Sequence, residues 1–144
     1  MTEEHLQNII LPTQLCRTTL GKYAEYYAWQ YLQTQGYQLI YQNWEGKRGE
    51  IDLVVSYENT LIWLEVRSIE KSWLSHGLQS ITQQKCQQVS RCAQEFLSKE
   101  THIIQNFDHF QFDVIGIRFQ QQNKCNYQLG IIHIPNAFYA HWAF

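Results

Sequence analysis

Gly49-Glu50-Ile51-Asp52-Leu53-Val54-Val55 and Leu61-Ile62-Trp63-Leu64-Glu65-Val66-Arg67, joined through Tyr57-Glu58-Asn59-Thr60, form the stretch on which the fold turns. Both halves are dense in β-branched and aromatic residues, and the polar link between them predicts a β-hairpin. Side chains alternate along a strand, so Glu50, Asp52 and Val54 share one face, as do Trp63, Glu65 and Arg67. A symmetric turn sets Tyr57 opposite Thr60, and counting back places Asp52 opposite Glu65 and Glu50 opposite Arg67. Carboxylates facing each other across a hairpin repel. A divalent cation is the simplest compensation, since magnesium takes one or two carboxylates together with carbonyls, waters and phosphate oxygens. The plainer alternative is a Glu50–Arg67 cross-strand ion pair beside solvated Asp52 and Glu65. Ile51, Leu53, Val55, Ile62, Leu64 and Val66 are expected to line the opposite face.

The chain around this hairpin has 144 residues, 44% hydrophobic and 15% aromatic, enough for a core without disulfide or metal staples. A formal charge of −2 excludes the global basic signature of a sequence-independent duplex coater and leaves room for a local basic rim. Cys16, Cys86, Cys92 and Cys125 are scattered without zinc spacing and read as reduced thiols, which predicts a cytoplasmic protein. No run is long and apolar enough for a membrane span.

Residues 1–16 read as a leader packing through Ile9, Ile10 and Leu11, ahead of a single domain over residues 17–144. From Leu15 to Gln35 the period is helical, with Leu20, Ala24, Tyr27 and Tyr31 as a stripe widened by Ala28 and Leu32, and Gly36 as the stop. Glu25 borders that stripe and alone reads as solvated. Tyr37–Asn43 predicts a strand, and Trp44–Gly49 a loop carrying Lys47 and Arg48, cations able to hold a phosphate backbone. The polar segment from Glu70 to Gln79 holds Lys71, Trp73 and His76. Ser80 and Gln83 have capping-box spacing for a second helix. Lys85 falls on that helix's inward stripe, where it either snorkels outward or points to the acidic end of the sheet. Phe110–Phe119 and Tyr127–Ile134 predict two further strands joined by a Gln120-Gln121-Gln122 loop. Pro135-Asn136 is expected to stop the last one ahead of a short helical turn through Trp142. The expected fold class is α/β. It has a mixed sheet made of a three-stranded antiparallel meander, a crossover helix and further strands, flanked by helices.

The two hairpin strands resemble the second and third core strands of PD-(D/E)XK nucleases, which have the restriction-endonuclease-like core. From about Leu20 the chain resembles the YraN-like family, small bacterial proteins regarded as endonucleases of unsettled substrate. The landmarks run in order through Gly21, Glu25, Gly36-Tyr37, Gly49-Glu50-Ile51-Asp52-Leu53 and Glu65-Val66-Arg67. They continue through Gln84-Lys85, Phe112-Asp113-Val114 and Asn136-Ala137-Phe138. The resemblance implies Asp52 and Glu65 as metal-binding acids, the Val66 carbonyl as a third ligand, and Glu25 as the helix acid that completes the site in related Holliday-junction resolvases. Glu50 is expected close by. Arg67 stands where the motif usually has its catalytic lysine; it keeps the charge but cannot act as a base.

The leading expectation is therefore a magnesium- or manganese-dependent endonuclease that hydrolyses DNA, structured or branched DNA included, with DNA favoured over RNA. Asp52, Glu65, Arg67 and Lys85 are its catalytic candidates, and Lys47, Arg48 and Lys71 its candidates for flanking phosphates. The alternatives are a catalytically inactive nucleic-acid-binding module with the same fold, or an interaction scaffold presenting Trp73, Tyr139 and Trp142. Oligomeric state stays open, a homodimer included.

Overall fold

The computed structural model describes residues 3–12, 17–69 and 82–139. Its strands are β1 (His5–Ile10), β2 (Gln38–Gly46), β3 (Gly49–Tyr57), β4 (Thr60–Ile69), β5 (His109–Asn123) and β6 (Asn126–Phe138). The helices are α1 (Arg17–Thr34), α2 (Gln83–Lys99) and the single turn α3 (Thr101–Ile104). The sheet order is β1-β6-β5-β4-β3-β2. β2, β3 and β4 form the expected antiparallel meander. β4 and β5 run parallel, which requires a crossover, and α2 lies in that connection. The result is a mixed α/β sheet with a helix on each face.

Each face has its own core. Ala24, Ala28 and Leu32 of α1 pack on Leu53, Val55, Leu64, Ile115 and Ile117. On the other side Val89, Cys92, Ala93 and Phe96 of α2 cover Ile51, Val54, Trp63 and Phe112. Each large apolar side chain buried this way contributes about 1.5–3 kcal/mol. Gly36 ends α1 in the left-handed region at φ 94°. Gly36 N–H donates to Gln33 O and Tyr37 N–H to Leu32 O, at 3.2 and 3.1 Å, a Schellman closure.

Several elements differ from the expectations. Residues 5–10 are an edge strand paired with β6, seated by buried Ile9 and Leu11 while Ile10 points outward. Glu4 also holds Arg118 of β5, with carboxylate–guanidinium distances of 2.9–3.2 Å. Only Ile9 of this strand is buried, so its sequence carries little periodic signal. Trp44 extends β2 instead of opening a loop, because its ring is buried against Phe96. Gln120–Gln122 continue β5 rather than looping: Gln120 and Gln121 are laddered to β6, Gln122 sits at a register shift, and an exposed strand tolerates glutamine. β6 runs through Pro135 and Asn136, and Asn136 takes φ 50° where its N–H meets Asp113. The cap of α2 is Thr82, whose hydroxyl accepts from Lys85 N–H at 3.1 Å. Ser80, Lys71, Trp73, His76 and Trp142 lie outside the described residues.

Candidate functional site

The β3–β4 hairpin has its expected register, Tyr57 opposite Thr60, and the ladder proceeds to Leu53 opposite Leu64. There the backbone pairing stops. Val66 N–H donates instead to Asp52 Oδ2 at 2.8 Å, so a side-chain carboxylate takes the place of a ladder acceptor. On the other flank, β2 pairs Gln42 with Leu53 and Trp44 with Ile51, leaving Asn43 across from Asp52. Asn43 has φ 53°, a left-handed conformation in the middle of a strand. Asparagine tolerates it better than other non-glycine residues, and such outliers gather at functional sites.

The consequence is a slip in the alternation. Ile51 joins the α2-side core and Leu53 the α1-side core, so the expected continuous lining from Ile51 to Val66 breaks at Asp52. This slip lets Asp52 address both faces. One carboxylate oxygen each from Glu25 on α1, Glu50 and Asp52 lie within 4.8 Å of one another. Glu65, buried on β4, feels the Asp52 charge beside it and sits 3.2 Å from Lys85 Nζ of α2. Four carboxylates thus meet around the slip, and Lys85 is their one ion-pair partner among the described residues.

The electrostatics follow from that crowding. Burial, then Asp52, then Glu50 push the Glu25 carboxyl up to about 7, against a hydrogen bond from Asn43. Burial and the Asp52 charge push Glu65 up to about 7 as well, against the ammonium of Lys85. Burial also raises Asp52, while Val66 N–H and Lys85 pull it down. A cation taken up by such a cluster would displace the protons of these carboxyls.

The remaining candidates divide. The expected Glu50–Arg67 cross-strand pair does not form. Glu50 lies opposite Glu45 on β2, because β3 and β4 part beyond Leu53–Leu64, and Arg67 aligns with Gly116 of β5. Arg67 is half-buried and makes no ion pair with another described residue. Lys47 and Arg48 form the exposed two-residue turn between β2 and β3, seated against α2 and making no ion pair with the acids of the cluster. Asn43 was not anticipated; an asparagine among Tyr41, Gln42 and Trp44 is unfavourable in a regular strand, and that local conflict is the only signal it gives.

Fold and site define an α/β protein with a partly buried acidic cluster able to hold a metal ion. Residues 24–117 match Uncharacterised protein family UPF0102. The chain is 31% identical over 122 residues to a UPF0102 protein of Sulfurihydrogenibium sp., covering 85% of this chain and 96% of that one. It is 37% identical over 107 residues to one from Pseudomonas syringae pv. syringae, covering 74% and 85%. It is 39% identical over 101 residues to one from Pseudomonas fluorescens, covering 70% and 82%. The chain belongs to the UPF0102 family, the YraN-like group of the PD-(D/E)XK superfamily.

Proposed function

We propose that this chain is a magnesium- or manganese-dependent endonuclease with a restriction-endonuclease-like core, acting on DNA. The observation that carries the reading is the convergence of Glu25, Glu50, Asp52 and Glu65 at a deliberate break in the sheet, with Lys85 as their cationic partner. The donor set suits a hard divalent cation, which prefers carboxylate oxygens and retains waters. Glu25, Glu50 and Asp52 would hold it, with Glu65 and the Val66 carbonyl adjoining. When bound, such an ion polarises a phosphoryl oxygen and makes its bound water more acidic. The chain's own residues supply the rest. Val66 N–H fixes the Asp52 carboxylate. Lys85 favours ionised Glu65 and brings a positive charge to the place where a phosphate would gather negative charge. Arg67, two residues beyond Glu65, contributes a permanent cation without base function. Water adds across a phosphodiester P–O bond, leaving a phosphate monoester and a free hydroxyl.

The competing reading is a binding module that has lost turnover, favoured by Arg67 where the motif has lysine. Labelled single-stranded, duplex and four-way-junction DNA, incubated with and without manganese, separates the two. Metal-dependent cleavage abolished by Asp52→Asn supports the endonuclease; binding of the same DNA without cleavage in any metal supports the module.

A further inference from the structure

The second half of α2 and the β2–β3 turn enclose an open groove of about 570 Å³, lined by Lys47, Arg48, Arg91, Gln94, Glu95 and Lys99 among others. Four of the chain's 11 lysines and arginines gather here, against one carboxylate, in a protein of net charge −2. The groove is built by specific contacts. Gly46 and Gly49 bracket the turn. A Cβ on Gly46 would collide with the Glu95 carboxylate, and one on Gly49 would come within 2.7 Å of Gln88 Nε2. The turn therefore lies directly on the helix, tied by Lys47 N–H to Glu95 at 2.9 and 3.2 Å and by Gln88 to Arg48 O at 3.5 Å.

Glu95 is largely spent on these contacts. It accepts from the Lys47 backbone and pairs with Lys99 Nζ at 2.6 Å. The side chains of Lys47, Arg48 and Arg91 are exposed and make no ion pair with another described residue. α2 also links this groove to the acidic cluster: Lys85, near its start, touches Glu65, and Lys99 ends it. Fourteen helical steps of about 1.5 Å span roughly 21 Å. At about 3.4 Å per base pair that is roughly six base pairs of duplex.

We infer that this groove is a backbone-binding track for the nucleic acid whose phosphodiester the acidic cluster addresses, with Arg91 and Lys99 extending the phosphate contacts of Lys47 and Arg48 along α2. It rests on the nuclease reading for its substrate, but the binding it predicts needs no metal and no turnover. The contacts are charge–charge and carry no base information, so the track sets affinity and direction rather than sequence. It explains how a protein of negative net charge engages a polyanion: attraction is local, and the acids remain at one end of it.

The test is fluorescence anisotropy with labelled duplex DNA in EDTA, titrated across salt concentrations, on the full chain. Arg91→Ala combined with Lys99→Ala is expected to lower the slope of log affinity against log salt by about 1.8, near 0.9 for each lost phosphate contact. Lys124→Ala, at the tip of the β5–β6 hairpin, is the control and should leave the slope unchanged. In manganese the double variant should raise KM for long duplex with kcat retained. An unaltered slope in a double variant that melts like wild type overturns the track, as does wild-type protein that binds no DNA. Polyglutamate competing as effectively as DNA would assign the groove to an acidic protein segment instead. Cleavage that persists without any groove dependence sinks this inference alone. Groove-dependent binding without cleavage in any metal sinks the endonuclease reading alone.

Discussion

Two buried carboxylate centres occupy this sheet, and they are constructed oppositely. Asp113 of β5 is fully buried, and each of its oxygens has a dedicated partner. Oδ2 meets His133 Nε2 at 2.7 Å, while Oδ1 accepts from Asn136 N–H at 3.0 Å and Gln111 Nε2 at 2.8 Å. Tyr37 packs edge-on against the His133 ring and closes the network. At the β3 slip, Glu25, Glu50 and Asp52 crowd together and Glu65 pairs with Lys85, with the Glu25 and Glu65 carboxyls pushed up to about 7. A buried acid with its own donors is a structural joint; acids crowded against one another are able to hold a cation. The first centre joins Tyr37, Asp113, His133 and Asn136, fastening β5, β6 and the exit of α1 together.

The sharpest way to break this comparison is to delete one acid from each centre. Asp113→Ala strands His133 and the Asn136 amide in the interior and is expected to destabilise the fold by about 3–5 kcal/mol, the usual penalty for breaking a buried pair. Asp52→Ala strands Val66 N–H, at a cost of about 1–3 kcal/mol, but relieves repulsion among the acids, so its net loss in the metal-free protein should be clearly smaller than that of Asp113→Ala. Thermal melts in EDTA measure both, and equal losses would erase the distinction. The metal response comes next in size. A cation at a hundredfold excess over its Kd adds about 2.7 kcal/mol to a protein that binds it only when folded. Magnesium or manganese should raise the melting temperature of wild type and Asp113→Asn but leave Asp52→Ala unmoved; a shift retained in Asp52→Ala would put the ion elsewhere.

Much of this was legible before any coordinates, for reasons that differ by region. The hairpin from Gly49 to Arg67 announced itself because β-branched density, a polar turn and fixed register all agree, and Lys85 because a cation on an inward stripe demands an acid. The mixed sheet and crossover helix followed from element order. What escaped was set by tertiary contacts that single-segment patterns do not carry. β1 depends on the exposed edge of β6, and Trp44 on a ring contact with Phe96 far along the chain. Strict alternation placed Asp52 opposite Glu65 correctly in count. It could not foresee that Asn43 would bend the backbone and end the ladder there, moving Ile51 to the other core and Glu50 away from Arg67.

The pH dependence sharpens the comparison further. Glu25 and Glu65 titrate near 7 in the fold and near 4.5 when unfolded, so the native state holds protons that the unfolded chain has released between those values. Stability of the metal-free protein from this source is therefore complete below about 4.5 and declines as pH rises through about 7. Saturating magnesium should flatten the decline, and Glu25→Gln or Glu65→Gln should each reduce it. Melting curves from pH 4.5 to 8 without metal that rise across this interval would contradict the assignment.

The smallest effect on stability, and the most discriminating for mechanism, concerns the two cations near Glu65. Lys85 is about one-third exposed, so losing its contact with Glu65 should cost at most about 1 kcal/mol, in the range of surface pairs. Its chemical effect should be larger. Without the ammonium, Glu65 is harder to ionise, and the pH at which metal-dependent cleavage reaches half its maximum should move upward in Lys85→Ala. Arg67 makes no ion pair with a described residue, so Arg67→Ala should leave that midpoint in place. If its guanidinium stabilises charge at the phosphate, Arg67→Ala lowers the single-turnover rate at every pH, and Arg67→Lys restores or raises it by returning the usual motif residue. Single-turnover cleavage against pH for these three variants keeps the roles apart: a displaced midpoint marks a residue that sets the charge of Glu65, and a uniformly lowered plateau marks one that meets the substrate. Coincident profiles for wild type and both alanine variants would remove both cations from the chemistry and leave the carboxylates alone to carry it.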